Sequence, residues 1–261
     1  MPGYADLAAS VAVEVRGAVR VVTLDAPQRL NAVDREMSRS LVQLWDLLAD
    51  DDDAGAVVLT GAGSAFCAGG HYPDLLRFHE DPAERAACVR DAERLLLGMI
   101  RCDLPVVAAV NGPAIGLGAS LAAFCDIVLM ADDAYLMDPH VSVGVVAGDG
   151  GPVVWPLLMS LLRAKEHLLL GDRISASECE RIGLANRVVA HDALLPEALD
   201  LAERLVLQPR EALRGTKHAI NLHLRAAADL VLSYALSAER ESFASADVRA
   251  TIDKFNASRE R

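Results

Sequence analysis

The segment Asn111-Gly112-Pro113-Ala114-Ile115-Gly116-Leu117-Gly118-Ala119-Ser120-Leu121 constrains this chain most. An apolar run, Pro105 to Val110, leads into it and reads as a buried strand. A run of small residues, Ala119 to Phe124, leads out of it and reads as a short helix. A helix entered through glycine leaves several backbone N–H groups without intrahelical partners, at the positive end of the helix dipole. Such donors suit an anion, or an oxygen that becomes anionic during a reaction. A second glycine turn, Phe66-Cys67-Ala68-Gly69-Gly70-His71, also follows an apolar strand. Two such sites are able to converge on one oxygen.

Composition narrows the classes. At 261 residues the chain suits one core with a smaller appendage. Hydrophobic residues make up 52% and charged residues 24%, which excludes disorder. Aromatics are only 4%, so Leu, Val and Ala carry the packing. The net charge is −12 without a basic cluster, which argues against nucleic acid or an anionic membrane surface as partner. The N-terminus lacks a basic region followed by an apolar run, and no stretch reaches the ~18 apolar residues of a membrane span, so neither a signal peptide nor a span is expected. The cysteines, Cys67, Cys88, Cys102, Cys125 and Cys179, contain no C-x-x-C pair. Neither zinc nor a redox dithiol is supported, and reduced thiols in a cytoplasmic protein are expected. Cys67 is read as a small buried residue.

Along the chain, Val11 to Val15 and Val19 to Leu24 alternate around Arg16-Gly17-Ala18 and predict a hairpin. Asp34 is placed to cap a helix carrying Met37, Leu41, Leu44, Trp45 and Leu48. The acidic run Asp50 to Asp53 reads as a solvated loop, and Asp74 to Asp81 as a polar loop. Strands are expected at Ala56 to Thr60, Val106 to Val110, Asp126 to Ala131 and Tyr135 to Met137, with a helix from Pro82 to Ile100. Strands alternating with helices indicate an α/β fold. Beyond Pro152 the pattern turns helical, with a short strand at Asn186 to Val189. Separate helices are expected at Arg210 to Leu224 and Leu230 to Ala244, and a soft boundary near Leu195.

Four segments, in order, resemble the crotonase (enoyl-CoA hydratase/isomerase) superfamily. They are Leu24-Asp25-Ala26-Pro27-Gln28-Arg29-Leu30-Asn31-Ala32, Gly61 to Gly70, Asn111 to Gly118 continuing to Cys125-Asp126, and Pro139-His140-Val141-Ser142-Val143-Gly144 with Gly150-Gly151. A weaker fifth runs from Ala164-Lys165-Glu166 through Ala185-Asn186-Arg187-Val188-Val189. The resemblance implies a crotonase-type spiral of β-β-α units over residues 1–195 and a C-terminal helical oligomerisation region over 196–261. It implies homotrimers, often paired into hexamers, and an acyl-CoA thioester as substrate. It implies no metal, and no cofactor beyond the coenzyme A that the substrate carries. Carried over by position, the backbone N–H groups of Gly70 and Leu117 polarise the thioester carbonyl and stabilise an enolate. Coenzyme A is then held by the loop containing Arg29, Asn31 and Ala32 and by backbone near Phe66 and Ala68, with Gly116 in the turn before Leu117. Lys254 or Arg259 is placed to reach a neighbour's coenzyme A.

The sequence also departs from that pattern. Hydratases of this family use two glutamates, and the matching positions are Ser120 and His140. Ser120 can hydrogen-bond water but is a poor base, whereas a histidine titrates near ~6.5 and suits proton transfer. His140 is a candidate helper for Ser120 or the sole acid/base. Asp149 adds a carboxylate one position beyond the working aspartate of some superfamily members. His71 follows Gly70 and is placed to line the acyl pocket, while Asp74 reads as structural. The leading expectation is enoyl-CoA hydratase/isomerase chemistry. Isomerase, decarboxylase or thioester hydrolase chemistry through His140 or Asp149 remains open, as does a non-catalytic scaffold. A serine hydrolase is a weaker rival, since Gly118-Ala119-Ser120-Leu121-Ala122 lacks the final glycine of a nucleophile elbow.

Overall fold

Continuous apolar runs form the inner strands of a six-stranded sheet, as strands buried on both faces require. The computed structural model describes residues 3–259. The strands are β1 (Val11–Arg16), β2 (Val19–Leu24), β3 (Ala56–Gly61), β4 (Val106–Val110), β5 (Ala114–Ile115), β6 (Ile127–Ala131), β7 (Tyr135–Met137), β8 (Ile174–Ser175) and β9 (Arg187–Val189). The large sheet runs β1-β2-β3-β4-β6-β9, and β5-β7-β8 make a smaller one. Only the β1–β2 hairpin is antiparallel in the large sheet. Its register stacks Val22, Leu59, Ala108 and Val128 across four strands.

The chain climbs as a spiral, because β2, β3, β4 and β6 are each followed by a segment on a second wall. After β4 comes β5, and after β6 comes β7, which pairs with β5 through Ile115 and Met137. After β3 comes Cys67, which bridges to Ala114. After β2 comes Val33, which bridges to Gly70. Successive turns are thus offset by one β-β-α unit, and the two glycine turns become neighbours. This is the spiral that the resemblance implied.

The helices are α1 (Arg35–Ala49), α2 (Asp74–Glu80), α3 (Pro82–Arg101), α4 (Leu117–Ala123), α5 (Gly151–Leu158), α6 (Leu161–Leu170), α7 (Ala176–Ile182), α8 (His191–Val206), α9 (Arg210–Ser242) and α10 (Ala246–Arg259). The Asp34 carboxylate accepts the Met37 N–H at 2.9 Å and caps α1 as expected. Four local expectations change. Asp74 to Asp81 is mostly the helix α2, because Leu75 is buried in a second apolar cluster with Val145, Phe243, Val248 and Ile252. Asp51, in the acidic run, is 4% exposed and pairs with Arg20 at 2.6 Å, with the Tyr4 hydroxyl donating to the same carboxylate at 2.8 Å. The two helices expected between Arg210 and Ala244 are one, α9. The bridging segment Arg225-Ala226-Ala227-Ala228-Asp229 is rich in alanine and adds an i,i+4 ion pair at 2.8 Å. Leu195 falls inside α8, which packs on β2, β3, β4 and β6, so that helix covers the core sheet.

The long helix is anchored by polar contacts at its start. Lys217 Nζ donates to the Leu104 carbonyl at 2.6 Å and to Asp126 at 2.7 Å, and Asn221 donates to the Ile100 carbonyl at 2.9 Å. Farther along, Leu232, Ala235, Leu236 and Glu239 follow the helical period into the interior. The chain then folds back on itself, and α10 packs on α2, with the Tyr72 hydroxyl donating to the Thr251 carbonyl at 2.9 Å.

Candidate active site

The second wall sets the donors. Val33 N–H donates to the Gly69 carbonyl at 2.7 Å, and His71 N–H to the Val33 carbonyl at 3.0 Å. Ile115 N–H donates to the Cys67 carbonyl at 2.9 Å. These bonds fix the two turns side by side but leave the N–H groups of Gly70 and Leu117 without a backbone acceptor among the described residues. Leu117 is the first residue of α4, where a free N–H is the rule. The approach is tight enough to demand glycine. Gly69 has φ +85°, and a Cβ there would lie 2.6 Å from the Ile115 carbonyl oxygen and 3.7 Å from the Leu117 nitrogen. Both donors border a cavity of about 260 Å³ that His71, His140, Asp149 and Glu239 also line.

A chain of polar groups closes one side of that cavity. The Ser120 hydroxyl donates to Asp149 Oδ1 at 3.2 Å. Asp149 Oδ2 faces His140 Nε2 at 3.4 Å, and His140 Nδ1 faces Asp138 Oδ1 at 2.5 Å. Burial alone would lower the His140 pKa, yet the carboxylates of Asp149 and Asp138 outweigh it and hold the imidazole well above its ordinary value. The ring is therefore an imidazolium at neutral pH, clamped between two acids. Gly116 lets it approach, since a Cβ on Gly116 would meet His140 Cε1 at 3.3 Å. The three groups Asp138, His140 and Asp149 lie close enough together to suggest an ion site. The carboxylates, however, face opposite edges of one ring, so they bind the imidazolium and do not converge on a shared ion. Ser120 turns its hydroxyl to Asp149 and not to His140, so the histidine does not activate it as a nucleophile.

One acid of the cavity went unremarked in the sequence. Glu239 is 5% exposed, and its Oε2 has no hydrogen-bond partner among the described residues. Burial, reinforced by the negative charge of Asp149, pushes its pKa up to about 8 although His140 pulls it down. It is a neutral carboxylic acid at pH 7. A signal existed: Glu239 sits at i+7 from Leu232 and i+3 and i+4 from Leu236 and Ala235, on the core-facing stripe of the helix.

The fold has solved counterparts. The family model described as enoyl-CoA hydratase/isomerase matches residues 14–260. The chain belongs to the enoyl-CoA hydratase/isomerase family. A crystal structure of an enoyl-CoA hydratase/isomerase from Mycobacterium paratuberculosis aligns with a TM-score of 0.93 at 48% identity, covering 95% of this chain and 99% of that one. A monofunctional enoyl CoA isomerase from M. smegmatis aligns with a TM-score of 0.71 at 31% identity over 83% of this chain and 94% of its own. The short-chain-enoyl-CoA hydratase of Clostridium acetobutylicum is 30% identical, over 94% of both chains. Hydratases and isomerases both stand among these relatives, so the family name alone leaves the direction of proton traffic open.

Within the enoyl-CoA hydratase/isomerase fold, the other residues expected at the site divide in two. Ala68, Gly116 and His71 border the cavity, whereas Arg29, Asn31, Ala32, Phe66 and Ser120 are not part of its wall. Ser120 lies directly behind Asp149. Arg29 is spent locally, on Asp34 at 2.7 Å and the Ala32 carbonyl at 2.9 Å. Asn31 is fully buried with φ +56°; its Oδ1 accepts the Ala26 N–H, and its Nδ2 donates to the carbonyls of Ala62, Ala65 and Phe66. Its side chain holds the loop in shape and has no donor left for a ligand. His71 Nδ1 stands 3.5 Å from Asp74 Oδ1, and Arg77 pairs with the same oxygen at 3.0 Å, so Asp74 is a buried anchor for the rim. Burial pushes the Cys67 thiol up to about 12, which keeps it protonated and unreactive. Lys254 is exposed on α10, and the Arg259 side chain lies outside the described residues.

Proposed function

We propose that the N–H groups of Gly70 and Leu117 hold the carbonyl oxygen of an acyl-CoA thioester, and that Asp149 and His140 move the proton that forms or quenches the enolate. Asp149 carries this reading: it joins Ser120, by a hydrogen bond, and His140, by an ion pair, the two positions where the family's glutamates are missing. The Asp149 carboxylate takes a proton from carbon or from water, and the imidazolium, whose Nε2 faces Asp149, resupplies one through that carboxylate. A single cluster of this kind serves a 2-enoyl/3-enoyl isomerisation or a hydration, according to whether carbon or water is deprotonated. The reading requires no cofactor beyond the coenzyme A of the substrate. The test is to incubate the enzyme with crotonyl-CoA and with longer 2-enoyl- and 3-enoyl-CoA thioesters. Thioester absorbance is followed and products are identified. A 3-hydroxyacyl product supports hydration, and interconversion of the enoyl isomers supports isomerisation. Binding without either product overturns both and leaves hydrolysis or decarboxylation to be read from the products of other acyl-CoA thioesters.

We also infer a homotrimer or a pair of trimers. Leu161, Leu162, Leu169 and Leu170 on α6 and Leu230 and Tyr234 on α9 are exposed, the last two at 83% and 78%. Apolar residues displayed in this way support coverage by a second copy. Light scattering is expected to give three or six chains of 27.8 kDa, and a monomer would refute the assembly. A cytoplasmic location fits the five free thiols.

A further inference from the structure

The lining of the cavity that Glu239 borders is mostly apolar, with Leu75, Phe78, Val143, Val145 and Phe243 among its residues. A carboxylic acid in such a wall is exceptional, because a buried polar group without a partner destabilises a fold by ~1–3 kcal/mol. The close packing of Gly148 holds it there, since a Cβ on Gly148 would lie within clashing distance of Glu239 Oε2. Asp149 and His140 already complete each other, and neither accepts a hydrogen bond from Glu239. Glu239 thus borders the cavity with no protein partner for its Oε2 among the described residues.

We propose that Glu239 donates a hydrogen bond to an oxygen on the acyl chain, so that this enzyme selects acyl-CoA thioesters with an oxygen function in the chain over plain hydrocarbon ones. The proposal rests on the acyl-CoA reading above and names the substrate class of that same site. A pocket built to bond an oxygen rejects the analogue that lacks it, because the pocket's own group is then left unpaired. The neutral state of Glu239 at pH 7 fits a donor, and the groups that set it are Asp149, His140 and Asp138. Cys88 and Asp91 on α3 line the same cavity, and the charge that Glu239 takes on when ionised acts on the Cys88 thiol.

The test compares binding of hexanoyl-CoA with that of 4-oxo- and 5-oxohexanoyl-CoA by calorimetry, in wild type, Glu239→Gln and Glu239→Leu. At least one oxo thioester is expected to bind wild type about 10–100-fold more tightly than hexanoyl-CoA. Glu239→Gln, which keeps a donor, retains the gap, and Glu239→Leu closes it. If Glu239→Leu does not fold, the pH series decides: the wild-type gap shrinks as pH rises through about 8, while the Glu239→Gln gap stays level. Equal affinity for all three thioesters in wild type, or a gap that survives in Glu239→Leu, overturns the proposal and leaves the acyl-CoA reading intact. Failure to bind any of them overturns that reading and the proposal together.

Discussion

Asp149→Asn is expected to lower kcat by about 10²–10⁴-fold, the range for loss of a positioned acid or base, with KM nearly unchanged. The substitution is close to isosteric. An amide oxygen still accepts the Ser120 hydroxyl, which now lies 3.2 Å from Asp149 Oδ1. What disappears is the charge that takes the proton and that helps hold His140 charged. The imidazole keeps Asp138 at 2.5 Å, so its orientation survives while its pKa falls. The limb of the pH profile that reports His140 shifts to lower pH, because the charge beside the ring is gone; the loss of kcat is what marks Asp149 as catalytic. Removing the histidine is the less clean experiment, because two buried carboxylates then lose the cation between them and stability falls as well. A kcat within about fivefold of wild type, far short of a general acid–base contribution, would exclude Asp149 from the chemistry.

The sequence carried the scaffold of this site more fully than its chemistry. Backbone donors depend on where the chain turns, and the turns are written in Gly69-Gly70 and Gly116-Leu117-Gly118 beside apolar strands. The sequence identified the residues that replace the glutamates but not their partners. Ser120 reads as a poor base and His140 as its helper or as the sole acid/base; in the fold Asp149 stands between them and Asp138 holds the far edge of the ring. That ordering depends on the chain returning from β7 to α5 around His140, which no local pattern encodes. Asn31 illustrates the opposite case. A polar residue in a matched loop reads as a ligand contact, yet its left-handed backbone and four backbone partners make it the brace of the loop. Glu239 lies about ninety residues beyond Asp149 in a helix assigned to oligomerisation, so only the stripe on α9 pointed inward. The polar reading of Asp74 to Asp81 fails for a related reason: Leu75 is held by Phe243 and by Val248 and Ile252 of α10, from the far end of the chain.

Glu239 also makes a thermodynamic signature. Its folded pKa of about 8 lies above the ordinary carboxyl value of 4.5, so between those values the native state keeps a proton that the unfolded chain has released. Native stability therefore falls as pH rises through that window, and the full penalty is present above it. His140 slopes the same way: its raised pKa stabilises the fold below ~6.5 and the benefit is lost as pH climbs through the native value. The wild-type curve alone cannot separate the two. Glu239→Gln removes one limb and leaves the other, since glutamine fills the same space without titrating. Relative to wild type, the variant is expected to gain on the order of 3–5 kcal/mol between pH 4 and pH 9, measured as the change in their difference by urea unfolding at each pH. The charges of Asp149, His140 and Asp138 act on Glu239, so the gain is spread over the window and has no single midpoint. A difference that stays constant from pH 4 to pH 9 would mean that Glu239 is ionised in the native protein, and the neutral donor in the apolar wall would go with it.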